Sequence, residues 1–385
     1  MGNTVSSTSF EIGTLEKDRE AQRRIIVAAS GTGGHLIPAT HIVEALKKRD
    51  PTCVVEFIGA GRPLEEKLIV EKGYTRHVIA SAGVKRRQVQ GILQFLFRLP
   101  KGISQIRALY RSFGPDVVVG VGGYVSVLPV VVARLQGIPT WIHEAERQPG
   151  LANRVLGYFA DTMSTAFADT TVGGRAQVVH TGHPVRAELS KIDSSTVRPD
   201  APKRLLIVGG SQGARGLDEA VPHIATLLAE KQIEVVHQCR PDAMELVVNS
   251  YRAAGVAAHV VSFIDDMAGA YEWSDVMISR AGASSVAEIA CVNRPAIFVP
   301  YPYQQGTHQT DNARVLVDHN KGILVEETSP DFPGRLRDAL GHLLNPTVFK
   351  GMKDAVGPNR TADPAAAIAE GILGLVKARP DSLRA

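Results

Sequence analysis

Short β-branched apolar runs separated by stretches of helical period organise this chain into two similar series. The first opens at Arg24-Ile25-Ile26-Val27-Ala28, ends in the glycine-rich turn Ser30-Gly31-Thr32-Gly33-Gly34-His35, and passes into a helix expected from Pro38 to Lys48. The same order recurs at VVEFIGA (54–60), at DVVVGVGGY (116–124) followed by VLPVVVARLQ, at TWIHEAE (140–146) and at VVHTG (178–182). A polar, proline-bearing stretch without apolar period follows, and RLLIVGG (204–210) then restarts the pattern, with further strands at IEVVHQC, HVVSFI, DVMISRAGA and PAIFVP. Strands alternating with helices predict an α/β chain of two parallel sheets, each covered on both faces.

The boundaries predicted are a disordered leader over 1–22, a first domain over 23–190, a linker over 191–203, a second domain over 204–360 and a closing segment over 361–385. In that last segment Asp363 suits an N-cap and Pro364 the first position of an alanine-rich helix, which is expected to pack back toward the first domain. A chain of 385 residues exceeds what one core commonly serves, in keeping with two domains. The three cysteines, Cys53, Cys239 and Cys291, form no CxxC pair, which argues against a disulfide framework or a zinc site. No apolar run reaches the roughly 18 residues of a membrane span, and the N-terminus lacks the order of a secretory signal, so a cytosolic setting is expected. A net charge of +4 favours anionic partners such as phosphates or lipid head groups, with nothing that implies nucleic acid.

Three glycine-rich turns follow strands, at Gly31–Gly34, Gly120–Gly123 and Gly209–Gly213. Such turns let backbone N–H groups approach phosphate oxygens, helped by the helix that follows. None has P-loop spacing, and the first lacks the dinucleotide order. Arg280-Ala281-Gly282-Ala283-Ser284-Ser285 also opens a helix with small residues, and Glu288, expected about two turns on from Arg280, could accept from vicinal ribose hydroxyls. His308, Gln309 and Asn312 carry the donors and acceptors that sugar hydroxyls need. His35, on the first glycine loop, is the candidate general base, with Glu146 and Glu144 as alternatives, and His143-Glu144 ends a strand pointing at the same cleft.

Taken in order, GTGGHLIPA, GVGGYVS, HExE with PGLANR, GHPVR, GGSQGA, FIDDM, RAGASSVAE and HQTDNA resemble the MurG family of peptidoglycan transferases from about Ile25 to about Glu326. The resemblance implies a GT-B fold of two Rossmann-like halves facing a cleft. It also implies inverting transfer of N-acetylglucosamine from UDP-GlcNAc to undecaprenyl-diphosphate-linked muramyl pentapeptide (lipid I), without metal or cofactor, at the cytoplasmic face of the inner membrane. Carried over by position, it sets Ile264 and Met267 at the uridine, Glu288 at the ribose, and Ser211, Arg280, Gly282 and Ser285 at the diphosphate. Thr32, Gly33, Gly34, Arg186, Gln212, His308, Gln309 and Asn312 complete the UDP-GlcNAc site, with Tyr124, His143 and Arg147 on the acceptor side.

The family reads H-E-Q-N where this chain reads His143-Glu144-Ala145-Glu146. A carboxylate there would repel a lipid diphosphate unless neutralised, with Arg147 adjacent to compensate, and it motivates an alternative reading as a diverged UDP-sugar transferase with another acceptor. GHPVR for the family's GNPVR is a milder change. Residues 85–111 intersperse Ile92, Leu93, Phe95, Leu96 and Phe97 with Lys85, Arg86, Arg87, Arg98, Lys101, Arg107 and Arg111, the pairing that docks on an anionic membrane surface.

Overall fold

The structure, a computed structural model, describes residues 22–30, 33–79, 89–192, 201–210, 213–303, 307–355, 357 and 363–377, and of 89–98 and 377 only the backbone. The leader over 1–21, the turn residues Gly31, Thr32, Ser211 and Gln212, residues 193–200 of the linker and the apolar and basic side chains up to Arg98 lie outside the described residues.

Seven parallel strands form the first sheet in the order β3-β2-β1-β4-β5-β6-β7. They are β1 (Arg24–Ala28), β2 (Val54–Gly59), β3 (Thr75–Val78), β4 (Val117–Gly120), β5 (Thr140–Glu144), β6 (Thr162–Thr165) and β7 (Gln177–His180). Six more form the second in the order β10-β9-β8-β11-β12-β13: β8 (Arg204–Val208), β9 (Glu234–Gln238), β10 (Ala258–Val261), β11 (Val276–Ser279), β12 (Ala296–Phe298) and β13 (Gly322–Leu324). The α-helices of six or more residues are α1 (Gly33–Arg49), α2 (Val89–Phe113), α3 (Tyr124–Leu135), α4 (Leu151–Leu156), α5 (Arg215–Glu230), α6 (Met244–Ala254), α7 (Met267–Trp273), α8 (Ala283–Val292), α9 (His308–Val317), α10 (Phe332–Leu343), α11 (Pro346–Asp354) and α12 (Pro364–Lys377).

Alternation along each central strand splits the core into layers. In β1, Ile25 and Val27 pack with Ile42, Val43 and Leu46 of α1, while Ile26 and Ala28 pack with Ile106 and Tyr110 of α2 and Val130 of α3. In β8, Leu205 and Ile207 meet α5, α6 and α10, and Leu206 and Val208 meet α8 and α9. Every side chain of these strands therefore has an apolar partner, which is why the runs read as continuously hydrophobic.

The closing helix belongs to the first core. Asp363 Oδ1 accepts from Ala366 N–H at 2.9 Å and starts α12, whose Ile368 and Ile372 are fully buried beside α1. Truncating either to alanine would cost roughly 2–5 kcal/mol. Gly371 lies so close to the Trp141 ring on β5 that an added Cβ would sit 2.3 Å from it. Both sheets reverse strand order beside their first strand, at β1/β4 and at β8/β11, so the loops leaving those strands open the crevices where such sheets take ligands.

Candidate functional site

In the first half, α1 begins at Gly33 rather than near Pro38, so His35 stands in the first helical turn and not on a free loop. Leu36, fully buried, draws that turn onto the core despite the helix-weakening glycines. The His35 ring rests on the loop after β4: a Cβ on Gly122 would lie 2.6 Å from its Cδ2, and Gly122 and Gly123 hold φ values of +83° and +74°. Only glycine meets both demands cheaply. Desolvation by this packing lowers the His35 pKa below its ordinary 6.5, so the ring is neutral and able to accept a proton at neutral pH. Tyr124, half exposed, starts α3 beside it.

A residue not singled out from the sequence braces this corner. Glu65, with no exposed surface, accepts from Ser30 Oγ at 2.6 Å, Ala60 N at 3.0 Å and Gly61 N at 2.8 Å, and so ties the end of β1 to the loop after β2. In sequence it looks like any helix-start glutamate.

His143 and Glu144 are buried and do not face an open cleft, contrary to expectation. Glu144 Oε1 accepts from Glu146 N at 2.8 Å, and Oε2 from Gly150 N at 3.1 Å and Asn153 Nδ2 at 3.0 Å. It shapes the 145–150 turn, and burial raises its pKa to about 7 against the opposing pull of these bonds. His143 Nε2 meets His183 Nδ1 at 3.2 Å.

Glu146 reaches the second half. Asn312 Nδ2 donates to its Oε2 at 2.5 Å, and Asn312 Oδ1 accepts from Arg147 N at 3.1 Å. Burial raises the Glu146 pKa, partly offset by the Asn312 bond and the nearby His308. The Arg147 guanidinium does not compensate Glu146 as expected: it binds Asp169 at 2.6 and 2.8 Å.

The charges of the second half are paired, one within that half and one across to the first. Arg280 is buried against Glu327, donates to the carbonyls of Val299 and Pro300 at 3.2 Å each, and lies 5.7 Å from the Tyr301 ring centre. Its charge is matched within its own half instead of opening onto the crevice. Glu288, in the second turn of α8, accepts from Arg186 at 3.2 Å and from Tyr271 OH at 2.8 Å; burial raises its pKa while both partners lower it. Gly282 precedes α8 in extended conformation, with open space where a Cβ would stand, and Ser285 follows on the first turn. Ile264 and Met267 pack partly buried against the α8 layer. Gln309 Oε1 accepts from Tyr301 N at 2.9 Å, and His308 starts α9 with a buried Nδ1.

The structure thus gathers His35, Gly122 and Tyr124 at one crevice, and Gly282, Ser285, Glu288 and Asn312 at the other. It joins the halves through Glu146–Asn312, Arg186–Glu288 and His183–Ser284. Among the described residues no cluster of three or more His, Cys, Asp or Glu side chains has the spacing to hold a metal ion.

Sequence profiles of the glycosyltransferase family 28 N-terminal and C-terminal domains match residues 25–165 and 204–367. The UDP-N-acetylglucosamine–N-acetylmuramyl-(pentapeptide) pyrophosphoryl-undecaprenol N-acetylglucosamine transferase of Syntrophus aciditrophicus is 37% identical over 86% of this chain and 92% of its own length. The enzyme of the same name from Nitratidesulfovibrio vulgaris is 37% identical over 93% and 99%. The crystal structure of Acinetobacter baumannii MurG superposes with a TM-score of 0.73 at 27% identity, covering 91% of this chain and 99% of that one. With both domains matched in order, the GT-B arrangement of two parallel sheets, and this identity over nearly its whole length, the chain belongs to the MurG family of glycosyltransferase family 28.

Proposed function

We propose that this chain transfers N-acetylglucosamine from UDP-GlcNAc to the C4 hydroxyl of the muramyl sugar in lipid I, with inversion, giving lipid II. One observation carries the reading: the 37% identity to transferases of that name runs through both halves, so the first-half loops are matched along with the nucleotide half. The motive for a different acceptor was the charge of Glu146, and its bond to Asn312 turns that charge toward the donor half.

In the mechanism, the neutral His35 imidazole takes the proton of the attacking hydroxyl as the C4 oxygen bonds to the anomeric carbon and the bond to UDP breaks on the opposite face. Charge gathering on the leaving diphosphate is met by the N–H groups of the first turn of α8, beside Gly282, where the helix dipole adds to them. Arg280 acts at one remove, by holding the β11–α8 loop to β12 through Val299 and Pro300. Glu288 accepts from the ribose hydroxyls, with Arg186 moving from the carboxylate toward the phosphates. Ile264 and Met267 flank the base, and His308, Gln309 and Asn312 face the sugar.

No helix of the described residues is long and apolar enough to cross a membrane. The exposed Lys101, Arg107 and Arg111 on α2 support a peripheral site on an anionic inner-leaflet surface. The test is transfer of labelled GlcNAc to a lipid I analogue, with linkage analysis of the product. A β-1,4-linked disaccharide on the lipid is expected, and hydrolysis of the donor without lipid product would overturn the assignment.

A further inference from the structure

Four side chains form an unbroken line of hydrogen bonds from one half to the other. Ser164 Oγ on β6 lies 3.0 Å from His143 Nδ1, His143 Nε2 lies 3.2 Å from His183 Nδ1, and His183 Nε2 lies 2.9 Å from the Oγ of Ser284, on the first turn of α8. The two imidazoles stand 5.3 Å apart, tilted by 37°. Both are buried, His143 with a pKa lowered to about 3 and His183 well below its ordinary value, so both are neutral and each has one N–H donor and one N acceptor. The line therefore has only two polarities.

Ser164 Oγ accepts from Trp141 Nε1 at 3.0 Å and can send its hydrogen either to His143 Nδ1 at 3.0 Å or to the Ile142 carbonyl at 3.3 Å. When its hydrogen goes to His143 Nδ1, His143 donates to His183, His183 donates to Ser284, and the Ser284 hydrogen is left to point into the crevice. In the reverse polarity Ser284 spends its hydrogen on His183 and turns only lone pairs outward. An anion at the start of α8 selects the first polarity, and each bond in such a series strengthens the next.

We infer that His183 is a positioning residue whose imidazole, fed by His143 and Ser164, sets the Ser284 hydroxyl to donate to the diphosphate of the nucleotide donor. The inference rests on the functional reading above, which sets that diphosphate at the start of α8. It gives a purpose to the histidine of GHPVR, whose two nitrogens span both neighbours as a shorter side chain cannot.

UDP and uridine are titrated separately into the wild type, Ser284→Ala, His183→Asn and the double variant. His183→Asn keeps a polar side chain at the buried position, so folding is retained. The expected result is a UDP Kd raised about tenfold in each single variant, as for loss of one hydrogen bond to a charged group, no larger loss in the double variant, and unchanged uridine binding. UDP affinity within twofold of wild type in Ser284→Ala, or losses that multiply to about a hundredfold in the double variant, would overturn the inference. A wild type that fails to bind UDP would instead defeat the functional reading beneath it.

Discussion

The two crevices are prepared in different ways. In the first half the reactive group is held by packing: His35 lies on Gly122 with its charge suppressed by desolvation, and Glu65 holds Ser30 at the end of β1. At the second crevice the groups of interest are held by opposite charges, Glu288 by Arg186 of the first half and Arg280 by Glu327. A site set by packing needs little rearrangement when substrate arrives. A site of mutually paired charges must exchange one partner for the ligand, so nucleotide binding there is coupled to the contacts that join the halves. Changes in the first crevice should therefore act on turnover, and changes in the second on affinity.

The largest expected effect is that of His35→Ala, a loss in kcat of about 10²–10⁴ with UDP affinity nearly intact, read by steady-state kinetics beside calorimetry. A matching loss of UDP affinity would erase the contrast between the halves. Next comes Gly122→Ala, which adds a Cβ 2.6 Å from the His35 ring at a φ of +83°. Displacing the base by about 1 Å should cost roughly 10² in kcat, and a kcat close to wild type would show that the glycine does not seat the histidine. Glu288→Ala should weaken UDP by about 1–3 kcal/mol while kcat at saturation changes little; unaltered UDP affinity would remove Glu288 from the ribose. Smallest is Glu144→Gln. With a folded pKa of about 7 against 4.5, the folded chain holds the extra proton between those values, so stability falls as pH rises through that window. The substitution should flatten that slope, on the order of 1 kcal/mol in unfolding free energy between pH 5 and pH 7, read by denaturant titration, and an undiminished slope would place the titration elsewhere.

Strands buried on both faces were the most legible part of the chain, because runs such as Val117–Val119 need apolar partners above and below. The strands β3, β6 and β13 escaped notice. Thr75–Val78 is a polar edge, Thr162–Thr165 buries small hydroxyl residues that satisfy one another's neighbours instead of repelling water, and Gly322–Leu324 is only three residues long. At the site, residue types were readable but partners were not. Nothing local distinguishes the fully buried Glu65 from a solvated glutamate, or tells that Arg147 turns to Asp169 and Glu146 to Asn312, since those pairings span 22 and 166 positions. His183 opens a polar, proline-bearing stretch with no apolar period, and only the folded chain brings it between His143 and Ser284.

Packing on Gly122 keeps His35 neutral and ready to take a proton. The dependence of kcat/KM on pH, for GlcNAc transfer to a lipid I analogue, tests it most directly. An acidic limb with its midpoint below 6.5, rising to a plateau by neutral pH, is expected in the wild type and is lost in His35→Ala. The same limb persisting unshifted in the residual activity of His35→Ala would contradict it.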